Sequence, residues 1–160
     1  MNMSKGLMMV YTGPGRNLPA AGQVFRALGR GFRVRVLSPG TGRCGCAELA
    51  SSGRFGDRIE LNQPAREEPA GASRERTEGR QLAQQALNSR DFHMVVLEEL
   101  EDLVRNSDIS MQEIEDLLAQ RPSDLHVLIT VGEATAGLIS AADLVTEVAC
   151  VKGEAPGPCS

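Results

Sequence analysis

Three short apolar runs stand out along the chain. Residues 7–12 (LMMVYT), 93–97 (HMVVL) and 125–131 (LHVLITV) are continuous, the pattern of parallel strands covered on both faces. Phe32, Val34 and Val36 alternate with Arg33 and Arg35, which predicts a further strand with one wetter face. Shorter strands are expected at 58–61 and at 144–150. Between these runs the spacing becomes helical. Val24, Phe25 and Leu28 mark one face of a helix that starts near Asn17 as N-cap, carries Pro19 in its first turn and ends at Gly29 or Gly31. A short helix is expected near 47–50, another through Leu82, Ala83, Ala86 and Leu87, and a third near 134–140. Ser110 and Glu113 form a capping box ahead of Met111, Ile114, Leu117 and Leu118, and Pro122 stops that helix, so it spans 111–120.

Strands and helices therefore alternate. The expected fold class is α/β, a mostly parallel sheet with helices on both faces and right-handed crossovers. The length of 160 residues suits one domain. Residues 1–152 are read as that domain and 153–160 (GEAPGPCS) as a disordered tail. Residues 62–79 mix Pro, Gly, Ser and charge, and are read as the most mobile stretch.

Ligands in such folds bind beyond the C-terminal ends of the strands. The tips that meet there are Thr12–Asn17, Ser38–Gly42, Glu98–Glu99 and Thr130–Glu133. The first is a buried strand that runs through Gly13 and Gly15 into a helix, the layout of a phosphate-binding loop. Such a loop wraps phosphates in backbone N–H groups, neutralises them with Lys and holds Mg²⁺ on a Ser or Thr hydroxyl. No Gly-Lys-Thr follows here. Gly13 and Gly15 fit an anion-binding nest and equally a tight turn that needs positive φ. The acidic run Glu98–Asp102 reads as a solvated helix start.

Composition narrows the partners. A formal charge of −4 argues against general binding to nucleic acid or membrane surfaces, and with no Trp and one Tyr there is little on which bases could stack. No apolar run approaches a membrane span and no signal-peptide layout opens the chain, so a cytoplasmic location is expected. Cys44 and Cys46 form a C-x-C without a matching pair at zinc spacing, and read as free thiols beside Cys150 and Cys159. His93 and His126, each opening an apolar run, read as strand-edge residues.

Four words then occur in order: GLMMVYTGPGRNLPAAGQVFRALGRGFRVRVL (6–37), VVLEE (95–99), RPSDLHVLITVGE (121–133) and ADLVTEVACVK (142–152). Together they resemble the ATP:corrinoid adenosyltransferases of the cobalamin pathway. The likeness covers roughly 6–37 and 91–152 and is weak over 38–90. It implies a P-loop NTPase-like sheet, often dimeric, that moves the 5′-deoxyadenosyl group of ATP onto a Co(I) corrinoid. Cobalt is then the nucleophile, and the protein positions a Mg²⁺-neutralised triphosphate. ATP, Mg²⁺, a corrinoid and a second copy are the implied partners.

The resemblance assigns nucleotide binding to Thr12, Gly13, Gly15, Arg16 and Asn17, and Mg²⁺ binding to Glu98 with Glu99. The chain departs from the family at these positions. Aligned from the strand, the loop Lys and Thr fall on Leu18 and Pro19. Aligned from the helix, they fall on Arg16 and Asn17 and the loop is about two residues short. Pro14 removes an N–H donor either way. Val131-Gly132-Glu133 stands where the family turn carries a basic residue, and Phe55 is the one aromatic left in the middle region. These losses imply an alternative, a catalytically degenerate member that binds or scaffolds without ATP chemistry. In that case Glu99 pairs with Arg16 across the phosphate site.

Overall fold

The computed structural model describes residues 5–39, 45–63, 72–106 and 109–154. Six strands form one sheet: β1 (Met8–Thr12), β2 (Val34–Leu37), β3 (Ile59–Asn62), β4 (Met94–Leu97), β5 (His126–Thr130) and β6 (Leu144–Glu147). Their order is β3-β2-β4-β5-β1-β6 and every pair is parallel. Among the described residues six α-helices connect them, with one short 3-10 turn at Gly56–Arg58: α1 (Asn17–Gly29), α2 (Gly45–Ser51), α3 (Ala72–Asn88), α4 (Leu100–Asn106), α5 (Met111–Gln120) and α6 (Ala136–Ala141).

Alternation along the strands divides the core in two. Met9, Tyr11, Val34, Val36, Val96 and Leu128 face α1 and α2, where Ala20, Val24, Leu28 and Cys46 meet them. Met8, Val10, Leu37, Val95, Leu97, Val127 and Ile129 face the other way, against α3, α4, α5 and α6. The expected layered α/β fold, with helices on both faces, is the observed one. No described helix is long and apolar enough to cross a membrane.

The structure corrects several expected boundaries. Helix α3 begins ten residues before Leu82; those residues are polar, so apolar spacing gave no sign of them. Strand β6 stops at Glu147, short of Cys150, because β1 ends at Thr12 and offers nothing further to pair with. Asn17 is the first residue of α1 and not its cap. Arg16 holds the N-cap place in a helical conformation with no side-chain cap bond. The capping box of α5 is present, with Ser110 Oγ accepting from Glu113 N–H at 3.2 Å. Glu98 and Glu99 do not open a solvated helix. Both are buried, and α4 starts after them at Leu100. The expected mobile stretch and tail lie partly outside the described residues, as do Cys44 and Cys159.

Candidate functional site

Three chain segments converge at the C-terminal ends of β1, β4 and β5. The first is the turn from β1 into α1. Gly13 and Gly15 have φ of 85° and 75°, a region L side chains avoid. Gly13 is also crowded: a Cβ there would lie 2.2 Å from the Val148 carbonyl oxygen beyond β6. Its N–H donates to Gly132 O at 3.3 Å, and Pro14 has no N–H to offer. Thr12, the last residue of β1, is buried, and its carbonyl accepts from Val148 N–H at 2.9 Å.

Arg16 and Asn17 point from the start of α1 toward β4. Arg16 Nη2 donates to Glu99 Oε2 and, at 2.9 Å, to Glu101 Oε1, while Nη1 donates to Gly13 O at 3.2 Å. Asn17 Nδ2 donates to Glu99 Oε1 at 2.6 Å. Both oxygens of Glu99 are thus engaged by α1. Its side chain and that of Arg16 are only 10% and 12% exposed. Leu18 and Pro19, by contrast, are exposed on α1. The structure therefore brings Arg16 and Asn17, not Leu18 and Pro19, to the acids.

The backbone at Glu99 is shaped to this contact. Glu99 has φ of 51°, the one positive value at a non-glycine among the described residues, and its N–H donates to Thr130 Oγ1 at 2.9 Å. Glu101, two residues on, also accepts Gly132 N–H at 2.8 Å, which ties the β5 turn into the same network.

Glu98 serves a different neighbour. Oε1 accepts from Cys46 N–H at 2.7 Å and Oε2 from Ala47 N–H at 3.3 Å, so its carboxylate sits at the N-terminal end of α2. Gly45 makes room for it, since a Cβ there would lie 2.8 Å from Oε1. Burial is the dominant influence on its acidity and pushes it up to about 7, against the lowering effect of bonds from Cys46, Ser38 and Ala47.

Sequence reasoning named Arg16, Asn17, Glu98 and Glu99 and placed Thr130 among the converging strand tips, but missed the contact of Glu101 with Arg16 and the α2 amides on Glu98. A residue list shows Glu101 as one of several acids, and only the turn of α4 reveals that it faces Arg16. The histidines lie at the opposite end of the sheet. Among the described residues no group of three or more His, Cys, Asp or Glu is arranged to hold a metal ion. Cys46 is buried in the α2 layer and Cys150 is exposed.

As a receptor for ATP·Mg²⁺ this arrangement fits poorly. One guanidinium faces two carboxylates, those of Glu99 and Glu101, and two like charges about 4 Å apart repel by about 4 kcal/mol at an effective dielectric constant of 20. Both oxygens of Glu98, the Mg²⁺ candidate, already accept backbone N–H groups.

Known proteins share the scaffold. The sequence model for the ATP:corrinoid adenosyltransferase family BtuR/CobO/CobP matches residues 4–156. A corrinoid adenosyltransferase of Pseudomonas aeruginosa is 30% identical over 156 residues, covering 92% of this chain and 77% of that protein. One from Sinorhizobium sp is 29% identical over 163 residues, covering 92% and 74%. Among solved structures, the flagellar accessory protein FlaH from Methanocaldococcus jannaschii superposes with a TM-score of 0.55 at 9% identity, over 89% of this chain and 71% of that one. That likeness is one of fold alone, a parallel α/β sheet with helices on both faces. On the match across nearly its whole length, the chain belongs to the ATP:corrinoid adenosyltransferase family.

Proposed function

We propose that this chain keeps the family scaffold without the ATP chemistry, and acts in the cytoplasm as a binding or scaffold member, as a homodimer. One observation carries the reading. Arg16, the one cation in the loop, is already neutralised by Glu99 and Glu101. A triphosphate would have to displace two carboxylates from it and then lie beside them. The residues assigned to the nucleotide (Thr12, Gly13, Gly15, Arg16, Asn17) instead close the loop on β4, β5 and the end of β6. Glu98 caps α2 in place of a Mg²⁺ ion, with Glu99 turned toward α1.

A second reading, an active transferase with an unusual loop, is favoured by the retained positive φ of Gly13 and Gly15. It requires Glu99 to release Arg16. One titration separates the two. ATP with Mg²⁺ is raised to millimolar levels while thermal unfolding is followed, for the wild type and for Arg16→Ala. A ligand at 100 times its Kd stabilises by about 2.7 kcal/mol, a readily measured shift. The expected result is no Mg²⁺-dependent rise in Tm, and no spectral conversion of a Co(I) corrinoid at high protein concentration. A Mg²⁺-dependent rise that Arg16→Ala abolishes, or conversion to an adenosylated product, would establish the second reading.

A further inference from the structure

The end of the sheet away from the loop holds a second concavity. The α3–β4 and α5–β5 connections border a cavity of about 180 Å³, with Ser89, Arg90 and His93 on the first and Asp124 on the second. Phe92 and Leu125, 6% and 2% exposed, form an apolar wall. Sites for drug-sized ligands run to about 300–1,000 Å³, so an occupant here is small.

Two charges of opposite sign border this cavity without meeting. Among the described residues the Arg90 guanidinium makes no ion pair or hydrogen bond, and neither does the Asp124 carboxylate. They come from different loops and do not pair with each other. Ser89 Oγ accepts from Asp91 N–H at 3.2 Å, which leaves its O–H to donate. His93 Nδ1 accepts from Arg33 N–H at 3.0 Å, so the ring is fixed and its other nitrogen is unused by the described residues. The Arg33 and Arg35 guanidiniums lie over the Phe92 ring, 5.1 and 4.2 Å from its centroid. Glu60 neutralises Arg35 at 3.2 Å, so Arg33 adds to the positive side of the cavity.

A lone anion in this cavity would sit beside Asp124, and a lone cation beside Arg90; like charge opposes each. A molecule with both charges meets a partner at each end. We propose that the cavity binds a small zwitterion, an ammonium and an oxyanion joined by a few bonds. The oxyanion accepts from Arg90 and the Ser89 hydroxyl, and the ammonium donates to Asp124, with the connecting carbons against Phe92 and Leu125. A free α-amino acid carries this chemistry, and so does an aminoalkyl phosphate. The cavity lies at the end of the sheet opposite the loop of Gly13 and Gly15. The inference is therefore independent of the function proposed above, and either stands without the other.

The test is calorimetric titration of the full chain with L-alanine and with phosphoethanolamine, beside acetate, inorganic phosphate and ethylammonium as single-charge controls. Amide NMR shifts locate the binding. At least one zwitterion should bind saturably, about tenfold or more tighter than any control, with shifts at 89–93 and 124–125. The tighter of the two identifies the oxyanion as carboxylate or phosphate. Arg90→Gln and Asp124→Asn should each weaken that binding about tenfold or more. Both positions lie on loops, and circular dichroism melting verifies that the variants fold. Arg54→Gln, at an exposed arginine outside the cavity, should leave it unchanged. Acetate or phosphate binding as tightly as the zwitterions, and more tightly to Asp124→Asn, would overturn the zwitterion. No saturation with either zwitterion, or shifts confined to other residues, would overturn the site.

Discussion

Arg16 is the residue on which the candidate site turns. Its guanidinium is nearly buried and holds Glu99 and Glu101. Removing one member of such a pair leaves a buried charge uncompensated, which costs about 3–5 kcal/mol. Arg16→Ala should therefore destabilise the fold by several kcal/mol in chemical denaturation. Glu99→Gln added to Arg16→Ala should recover part of that loss, giving a favourable coupling in the double-mutant cycle. A near-neutral Arg16→Ala would mean that the ion pair does not support the fold. The pair was legible in the sequence, because an arginine in a shortened loop and acids at a neighbouring strand tip meet at one end of a parallel sheet. The amide bond from Asn17 was not. Asn before an apolar stripe reads as a cap, and only the placement of β4 beside α1 shows what its side chain reaches.

At the scale of elements, β4 and α2 are joined through the Glu98 carboxylate. Burial raises its pKa from 4.5 to about 7. The ionised form is thus disfavoured in the fold. Its contribution is fully present below the unfolded value and is lost as pH rises through the folded one, by roughly 3 kcal/mol at most. Glu98→Gln does not titrate. Relative to the wild type, the variant should gain stability between about pH 5 and pH 8, read from urea midpoints at several pH values. An offset independent of pH would show that Glu98 is ionised throughout. The strands themselves were readable, since buried parallel strands are continuous apolar runs. The first ten residues of α3 were not, because a polar helix has no apolar stripe to betray it. The N-terminal end of α2 on Glu98 was also hidden, since it depends on a glycine, Gly45, whose backbone makes space.

Across the whole molecule, the two ends of the sheet answer to pH in opposite senses. At the end away from the loop, His126 Nδ1 accepts from Leu7 N–H at 3.1 Å and His93 Nδ1 from Arg33 N–H at 3.0 Å, with Phe32 stacked on the His93 ring and tilted against that of His126. The bond at His126 needs an unprotonated Nδ1. Burial first, then the neighbouring His93 ring, lowers the pKa of His126 from its ordinary value of 6.5. Its contribution is present above that value and is lost as pH falls through the lower folded one. His126→Asn, which keeps an acceptor and does not titrate, should flatten the acid side of the Tm profile. An unchanged profile would exclude His126 as the titrating group. The strand order was not legible, because parallel strands of similar composition carry no address for one another. The contact between Val148 and Gly13 follows from that order, with the last strand laid over the first loop. A lineage that abandoned nucleotides would still be held to glycine at that spot by folding alone. Glycine at position 13 is thus no evidence, by itself, of a phosphate ligand.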